Sequence, residues 1–310
     1  MLVTGNAAVV LIKKELCAMP TDPQANENTY VLDNESAAEM ARLMYQDRLL
    51  TKGMGGLFSE LSDVSHMHDI LDIACGPGGW VLDVAYQYAK INVVGVDFSR
   101  IIIEYAKAQA WSQGLENASF RIMDVLNELD FPDNSFDLVN ARFLFGFMLP
   151  TAWPKLLQEC LRITRPGGLI RLTECEMPIT NNFAFEKLGS MFTQALHLAG
   201  QSFSPDGRNI GITPMLGGLL RDAGYHNIQE RANVLHASAG MEAYQSFYQN
   251  FQIAYKLAEP FLTKLKVTTP EEFAEVYNQA MAEAMLDNFR AVWYYLTVSG
   301  EKAAPQAPQG

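Results

Sequence analysis

Cysteine is scarce in this chain. Four occur in 310 residues, Cys17, Cys75, Cys160 and Cys175, and no two are spaced Cys-x-x-Cys. That pattern argues against a zinc knot and against a disulfide framework. Long apolar runs are also missing. The N-terminal patch from Leu11 to Leu16 is broken by Lys13, Lys14 and Glu15, so it is too short to span a bilayer and poorly shaped as a secretory signal. A cytoplasmic protein is expected. Positive charge is the third shortage: Lys and Arg total 23 against 35 Asp and Glu, a formal net charge of −12. A phosphate backbone has to be neutralised by Lys and Arg, and no basic cluster is visible, which makes DNA and RNA poor partners. A small molecule is the expected partner, ahead of a protein side chain. His66 and His68 lie close together but have no third ligand nearby in sequence, so no metal site is expected.

Apolar residues make up 49% of the chain, enough for one large α/β domain with insertions. Residues 1–28 read as an extension ending in a polar, turn-prone stretch, and Met19 is an alternative start. Ser36-Ala-Ala-Glu39 has the form of a capping box, followed by Met40, Leu43 and Met44 on one helical face and a stop at the glycines of 53–56. Strands and helices then alternate: strand 69–73, helix 79–89, strand 92–97, helix 100–113, strand 119–124, strand 136–141, helix 151–164 and strand 168–175. Beyond these come a helix over 183–199, a loop over 201–211, a helix near 215–223 and a strand over 228–236. Tyr244, Phe247, Tyr248, Phe251 and Tyr255 form an aromatic stripe at helical spacing, Thr269 caps another helix, and 291–298 reads as the last strand. Such a stripe is read first as packing.

The most informative stretch is residues 70–80, a buried strand that breaks into a glycine turn and opens a helix. A dinucleotide fingerprint starting at Gly76 would need a third glycine where Val81 stands, which weakens a nicotinamide reading. What is present is Asp-x-Ala-x-Gly-x-Gly from Asp72 to Gly78. Asp97 closes the apolar run Val93-Val94-Gly95-Val96, nineteen residues after Gly78 and about one helix plus one strand further on. Phe120 to Asp124 alternates as a strand ending in an aspartate. A Pro-, Asp- and Asn-rich turn over 131–135 feeds the next strand, and Arg165-Pro-Gly-Gly-Leu169 precedes another. Alone, each mark has a plain reading as backbone geometry, cap or turn former.

In this order and spacing the marks resemble the class I S-adenosylmethionine-dependent methyltransferases, of the UbiE-like small-molecule type. The resemblance implies an α/β fold with a Rossmann-like seven-stranded sheet, mostly parallel with the last strand antiparallel, and helical lid insertions. It implies S-adenosyl-L-methionine as cofactor and S-adenosyl-L-homocysteine as product. It divides the chain into N-terminal helices over the cofactor site (29–60), a cofactor-binding core (61–177), a first lid insertion (178–212), core (213–237), a second helical insertion (238–288), the last core strand (289–300) and a disordered tail (301–310). Gly76, Pro77 and Gly78 would approach the cofactor's amino acid and ribose, with Ala74 and Cys75 lining that end and Asp72 organising the loop or the ammonium. Asp97 would hold the ribose hydroxyls, Phe98 would pack on the adenine, Asp124 would accept from its exocyclic amine, and Val125 would flank it. Asn140, Ala141 and Arg142 would lie beside the methionine moiety, and Tyr30 and Arg48 would reach its carboxylate.

Candidates for a general base are Glu174 and Glu176, which alternation sends to one face at the carboxyl end of the fifth strand, where open α/β sheets place ligands. A solvated strand end is the plain alternative. His197 in the first insertion is the other candidate, set against a structural histidine. An amine or thiolate acceptor would need no base. The expected activity is C-, N- or O-methylation of a hydrophobic metabolite or natural product. The alternative is a regulatory protein that binds the nucleotide without turnover, and a nicotinamide reductase is the distant third. A homodimer is compatible with either of the first two.

Overall fold

Ile70, Leu71 and Ile73 are fully buried in strand β1 (Asp69–Ile73). A strand apolar on both faces belongs at the centre of a sheet with helices on either side, and β1 takes that place. It pairs in parallel with β2 (Asn92–Asp97) and with β4 (Phe136–Arg142). β3 (Ala118–Ile122) continues from β2 and β5 (Thr164–Cys175) from β4, both parallel. β8 (Ala291–Glu301) then runs antiparallel to β5 on one edge and to β7 (His226–His236) on the other. The sheet order is β3-β2-β1-β4-β5-β8-β7, and β8 alone is reversed, as expected. An eighth strand, β6 (Ile179–Thr180), pairs two residues with the start of β8. The described residues are 30–32 and 36–304 of this computed structural model; the extension expected over 1–28 and the end of the tail, 305–310, lie outside them.

Side-chain alternation divides the core. Ile70, Val93 and Leu138 pack with Trp80, Val81 and Val84 of α2 (Gly79–Gln87) and with Ile103 and Ala106 of α3 (Arg100–Ser112). Leu71, Val139 and Ile170 face the other way, onto Leu156 and Leu157 of α4 (Trp153–Ile163) and Leu216 and Leu220 of α6 (Leu216–Asp222). The chain leaves β1 toward β2 on one side and returns through β4 on the other. The crevice at this reversal, at the carboxyl ends of the strands, is where such sheets bind ligands.

Three helices from the insertions form a layer beyond that crevice: α5 (Phe183–Leu198), α7 (Tyr244–Lys264) and α8 (Pro270–Ala284). The aromatic stripe docks them. Phe247, Phe251 and Tyr255 are buried against Phe185 of α5, with ring centroids 5.3–5.9 Å apart, and Phe251 also packs on Trp293 of β8 at 5.1 Å. Each such pair adds about 0.5–1.5 kcal/mol beyond its buried area. At the other end, α1 (Ala37–Gly53) packs against α7, and the Ser36 hydroxyl caps it by accepting from the Glu39 amide at 3.1 Å.

Several boundaries differ from expectation. β3 stops at Ile122, so Asp124 lies just past the strand, where its Oδ1 accepts from the Leu126 amide at 3.0 Å and shapes a turn. β5 begins at Thr164, because Thr164 pairs with Phe136 ahead of an irregularity in the β4 ladder. Arg165-Pro-Gly-Gly therefore lies inside the strand, with Gly167 at φ +78°. Among the described residues of 29–60 there is one helix, α1, where several were expected.

Candidate active site

The turn after β1 departs from ordinary backbone geometry. Ala74 (φ +51°), Gly76 (φ +54°) and Gly78 (φ +80°) all lie in the left-handed region. Glycine adopts that conformation at little cost, but alanine is strained there, and such strain collects where backbone has to meet a ligand. Gly78 has a second reason to lack a side chain: a Cβ there would stand 2.5 Å from Cε1 and 2.7 Å from Cζ of Phe120. It serves helix packing and is not part of the cavity wall, whereas Ala74 and Gly76 are.

The loop is tied to the next strand. The Cys75 amide donates to the Val96 carbonyl at 2.9 Å, and Gly76 N donates to Asp97 Oδ2 at 3.1 Å. Asp97 Oδ1 accepts from the Ser99 amide at 3.0 Å. Burial raises the Asp97 carboxyl above its ordinary range, against the pull of these backbone donors. Beneath the loop, Asp72 Oδ1 accepts from Asn140 Nδ2 at 2.6 Å, Asn140 Oδ1 accepts from Arg171 Nη1 at 3.0 Å, and Arg171 pairs with Glu60. All but Glu60 in this chain are almost fully buried. Desolvation lifts the Asp72 carboxyl to about 6, more than Arg142 and Asn140 lower it.

A cavity of about 670 Å³ opens above these strand ends, within the range of small-molecule sites. At the β2–β3 side its wall holds Asp97, Phe98, Ile122, Asp124 and Val125. At the β5–β8 side it holds Phe145, Met177, Phe192, Phe251, Tyr255 and Trp293. A smaller adjoining cleft of about 70 Å³ is lined by Asp47, Asp72, Cys75, Pro77 and Gly79, and shares Gly76, Arg142 and Phe143 with the cavity. Arg142 Nη2 donates to Asp47 Oδ1 at 2.6 Å, and its guanidinium stands 5.8 Å from the centre of the Trp80 ring. Asp47 Oδ2 is buried and has no partner.

α1 roofs this space with Arg42, Leu43 and Gln46. Arg42 is held on every side: by both oxygens of Glu39 at 2.6 Å, by Gln46 Oε1 at 2.5 Å, and by Asn250 Oδ1 of α7 at 2.9 Å. The Tyr30 hydroxyl donates to Glu39 Oε1 at 3.0 Å. Glu39 is fully buried, so this network joins α1 to α7 across the top of the cavity with its charges paired.

The sequence-predicted residues thus divide. Tyr30, Ala74, Gly76, Asp97, Phe98, Asp124, Val125, Arg142 and Glu176 line the cavity, and Asp72, Cys75 and Pro77 line the cleft. Arg48 lies outside both walls: it is exposed, while Arg42 and Gln46 face inward from the same helix. Asn140 and Ala141 are buried in β4 and reach neither wall, Asn140 acting through Asp72. Cys75 is a filler by its chemistry, since burial pushes its thiol far up, away from the reactive thiolate.

The three candidates for a base have structural partners. Glu174 is 1% exposed and lies outside the cavity wall; its oxygens accept from the amides of Leu144 at 2.7 Å and Phe145 at 3.4 Å, and burial pushes its carboxyl up to about 8. Glu176 lies in the wall, but its oxygens accept from Ile210 N at 2.8 Å, Gly211 N at 3.0 Å and Thr213 Oγ1 at 2.9 Å, which pins the loop after α5. His197 lies outside the wall, its Nδ1–H donating to the Ser204 carbonyl at 3.1 Å. Among the described residues no cluster of three His, Cys, Asp or Glu side chains gathers to hold a metal ion, and no helix is long and apolar enough to cross a membrane.

Sequence reasoning missed Arg42, Gln46, Asn250, Phe143 and Trp293. Glu39, Arg42 and Gln46 sit three and four residues apart on one helical face, a signal legible in principle. Phe143 is held at φ +59° beyond the end of β4, which no local pattern announces.

Comparison with known proteins agrees with this geometry. The family described as "Methyltransferase domain" matches residues 70–168, the stretch that carries the glycine loop, Asp97, Asp124 and the start of β5. A demethylmenaquinone methyltransferase of Thermus thermophilus is 30% identical over 190 residues, covering 61% of this chain and 76% of that protein. The probable methyltransferase ltbC of Aspergillus luteorubrus is 33% identical over 107 residues, 33% of this chain and 38% of that protein. The chain spans about half or less of the length of several such relatives. Among solved structures, phosphoethanolamine N-methyltransferase 2 of Haemonchus contortus, in complex with phosphomonomethylethanolamine and S-adenosylhomocysteine, superposes with a TM-score of 0.55 at 15% identity. The match covers 91% of this chain and 61% of that one, a likeness of fold. The glycine loop, the carboxylates closing β2 and following β3, the reversed strand β8 and the extent of the Thermus match together place this chain in the class I S-adenosylmethionine-dependent methyltransferase family.

Proposed function

We propose that the chain transfers a methyl group from S-adenosylmethionine to a hydrophobic or aromatic small molecule. The observation that carries this reading is one continuous cavity. It runs from bared backbone and two carboxylates at the ends of β1 to β3 to an aromatic wall built by α5, α7 and β8.

The donor set fits the cofactor. Asp47 Oδ2, buried and unpartnered, and Asp72 suit its ammonium. Arg142 keeps donors beyond those given to Asp47 and Thr51, and so suits the carboxylate in place of the exposed Arg48. Asp97 would accept from the ribose hydroxyls, and Phe98, Asp124 and Val125 would frame the adenine. When bound, the cofactor supplies a methyl group on a sulfonium whose leaving group departs neutral. The chain's own task is then to align the acceptor and exclude water, worth up to ~7–11 kcal/mol in favourable cases. The Glu39–Arg42–Asn250 network holds the roof that does so. The name of the Thermus thermophilus relative points to an apolar ring acceptor and supports the same class here.

Calorimetric titration with S-adenosylhomocysteine tests the assignment. Micromolar-range binding is expected, lost in Asp97→Ala; an unchanged titration of that variant refutes the pocket. One observation favours a second reading, a binding protein without turnover: all three candidate bases have structural partners. Incubation with labelled cofactor and cell metabolites separates the two, because methylated product excludes the second reading. An amine, thiolate or pre-activated carbon acceptor reconciles the occupied carboxylates with catalysis.

A further inference from the structure

One buried side chain in the cavity wall uses only half of its hydrogen-bonding groups within the chain. Asn250 interrupts the aromatic face of α7 between Phe247 and Phe251, is 2% exposed and lines the cavity. Its Oδ1 accepts from Arg42 Nη1 at 2.9 Å. An arginine offers donors alone, so the amide is held with its oxygen toward α1 and its NH2 group turned away from the guanidinium. Among the described residues that NH2 group has no partner, yet unlike the enclosed hydroxyl of Tyr255 on the same helix it keeps accessible surface. The rest of the side chain is packed away, so that surface belongs to the cavity. Arg42 is itself fixed: Nε and Nη2 donate to the two oxygens of Glu39 at 2.6 Å, and the Gln46 amide oxygen takes the other Nη1 hydrogen. A molecule in the cavity therefore meets a donor whose direction is set before it arrives. Leucine here would favour the helix and leave no polar group short of a partner, and holding Arg42 explains only the oxygen half of the amide.

Resting on the methyltransferase reading, we propose that Asn250 Nδ2 is a specificity-determining donor that hydrogen-bonds a carbonyl oxygen of the methyl acceptor, with the Glu39–Arg42 pair holding the amide in place. Its neighbours decide which molecule it serves. Phe251 and Ala254, next along α7, line the cavity with it, whereas Gln46 also borders the cleft beside Asp47 and Gly76, toward the cofactor. Asn250 therefore belongs to the acceptor's end. The charge of the wall decides the kind of oxygen: Asp97, Asp124 and Glu176 face the cavity, while Arg42 and Arg142 are already paired with Glu39 and Asp47. An anionic acceptor would add to that excess of negative charge, and a neutral carbonyl asks only for a donor. The acceptor is then a neutral apolar ring compound with its carbonyl directed at the junction of α1 and α7.

The test uses the full chain saturated with S-adenosylhomocysteine and two bicyclic probes that differ in one carbonyl, 1-tetralone and tetralin, with binding followed by ligand-observed NMR. Asn250→Asp keeps an oxygen for Arg42 and replaces the donor by a second acceptor. It should weaken 1-tetralone about three- to tenfold, the range of one neutral hydrogen bond, and leave tetralin within about twofold. A residue that only held Arg42 would lose neither. A second measurement uses the parent chain with isotopically labelled asparagine: 1-tetralone should move downfield the side-chain NH2 resonance that is missing in Asn250→Ser, and tetralin should not. If Asn250→Asp does not fold, that resonance decides. Equal loss of both probes, unchanged 1-tetralone affinity, no 1-tetralone binding to the parent chain, or an unmoved resonance overturns the proposal. S-adenosylhomocysteine affinity is read separately. A loss of more than about twofold in Asn250→Asp assigns the amide to the cofactor and overturns the proposal too. If the parent chain does not bind S-adenosylhomocysteine, the methyltransferase reading falls as well; if it binds and the probes fail, only the role of Asn250 falls.

Discussion

Replacing Asp72 by asparagine should make the protein more stable and its cofactor binding worse. Burial lifts this carboxyl from an ordinary 3.8 to about 6, because lost hydration outweighs the favourable field of Arg142 and the hydrogen bond from Asn140. At 1.36 kcal/mol per pH unit, the ionised carboxylate costs the folded state roughly 3 kcal/mol once the pH is well above 6. The sign follows from the raised value: the stabilising contribution is complete below 3.8 and disappears as pH climbs through 6. Asparagine stays neutral throughout and keeps an oxygen for Asn140. Urea unfolding followed by circular dichroism should therefore show little difference between variant and parent near pH 4. A gap of about 3 kcal/mol in favour of Asp72→Asn should open by pH 8. If Asp72 meets the cofactor's ammonium, calorimetry at pH 8 should show weaker S-adenosylhomocysteine binding in the same variant. For the parent chain, affinity should then fall up to about tenfold per unit below pH 6, as protonation removes the charge. A stability difference independent of pH, or a variant less stable than the parent at pH 8, would show that burial does not raise the titration of this carboxyl and would refute the reasoning.

Two further substitutions probe the loop and the cavity wall. Gly78→Ala places a methyl group on the Phe120 ring at a residue with φ +80°, so overpacking and left-handed strain together should cost about 2–5 kcal/mol, read as a lowered urea midpoint. Glu176→Gln replaces one of two oxygens that together accept from Ile210, Gly211 and Thr213 by a donor, so it should lower the melting temperature and expose 201–213 to limited proteolysis while cofactor affinity stays within about twofold. A loss of turnover of 10²-fold or more with no change in stability would instead identify Glu176 as a base.

The legible part of this protein is the part written in contiguous residues. Asp72-x-Ala-x-Gly-x-Gly announced the strand, the turn and the helix start together, because backbone that bends through positive φ needs small residues in sequence. The capping box at Ser36 was half legible. The Ser36 hydroxyl accepts from the Glu39 amide as expected, but the Glu39 side chain turns away to Arg42, since a buried arginine offers a charged partner where the cap offers only one amide. The aromatic stripe on α7 was read as packing, and Phe247 bears this out, while Phe251 and Tyr255 face both the core and the cavity. Period and composition say that a face is buried; they do not say against what.

Strand order, the reversal at β1 and the placement of carboxylates at successive strand ends follow from local patterns, since a parallel sheet can be wound in few ways once its strands and crossover helices are marked. The sequence by itself therefore determined the fold class and the cofactor end of the crevice. Which arginine turns inward and which glutamate is consumed by a loop were decided only when α1, α5 and α7 closed over that crevice. Those outcomes depend on side chains separated by up to some two hundred positions, such as Arg42 and Asn250, competing for the same buried partners. Such competition is resolved by desolvation and packing in three dimensions and leaves no local pattern along the chain.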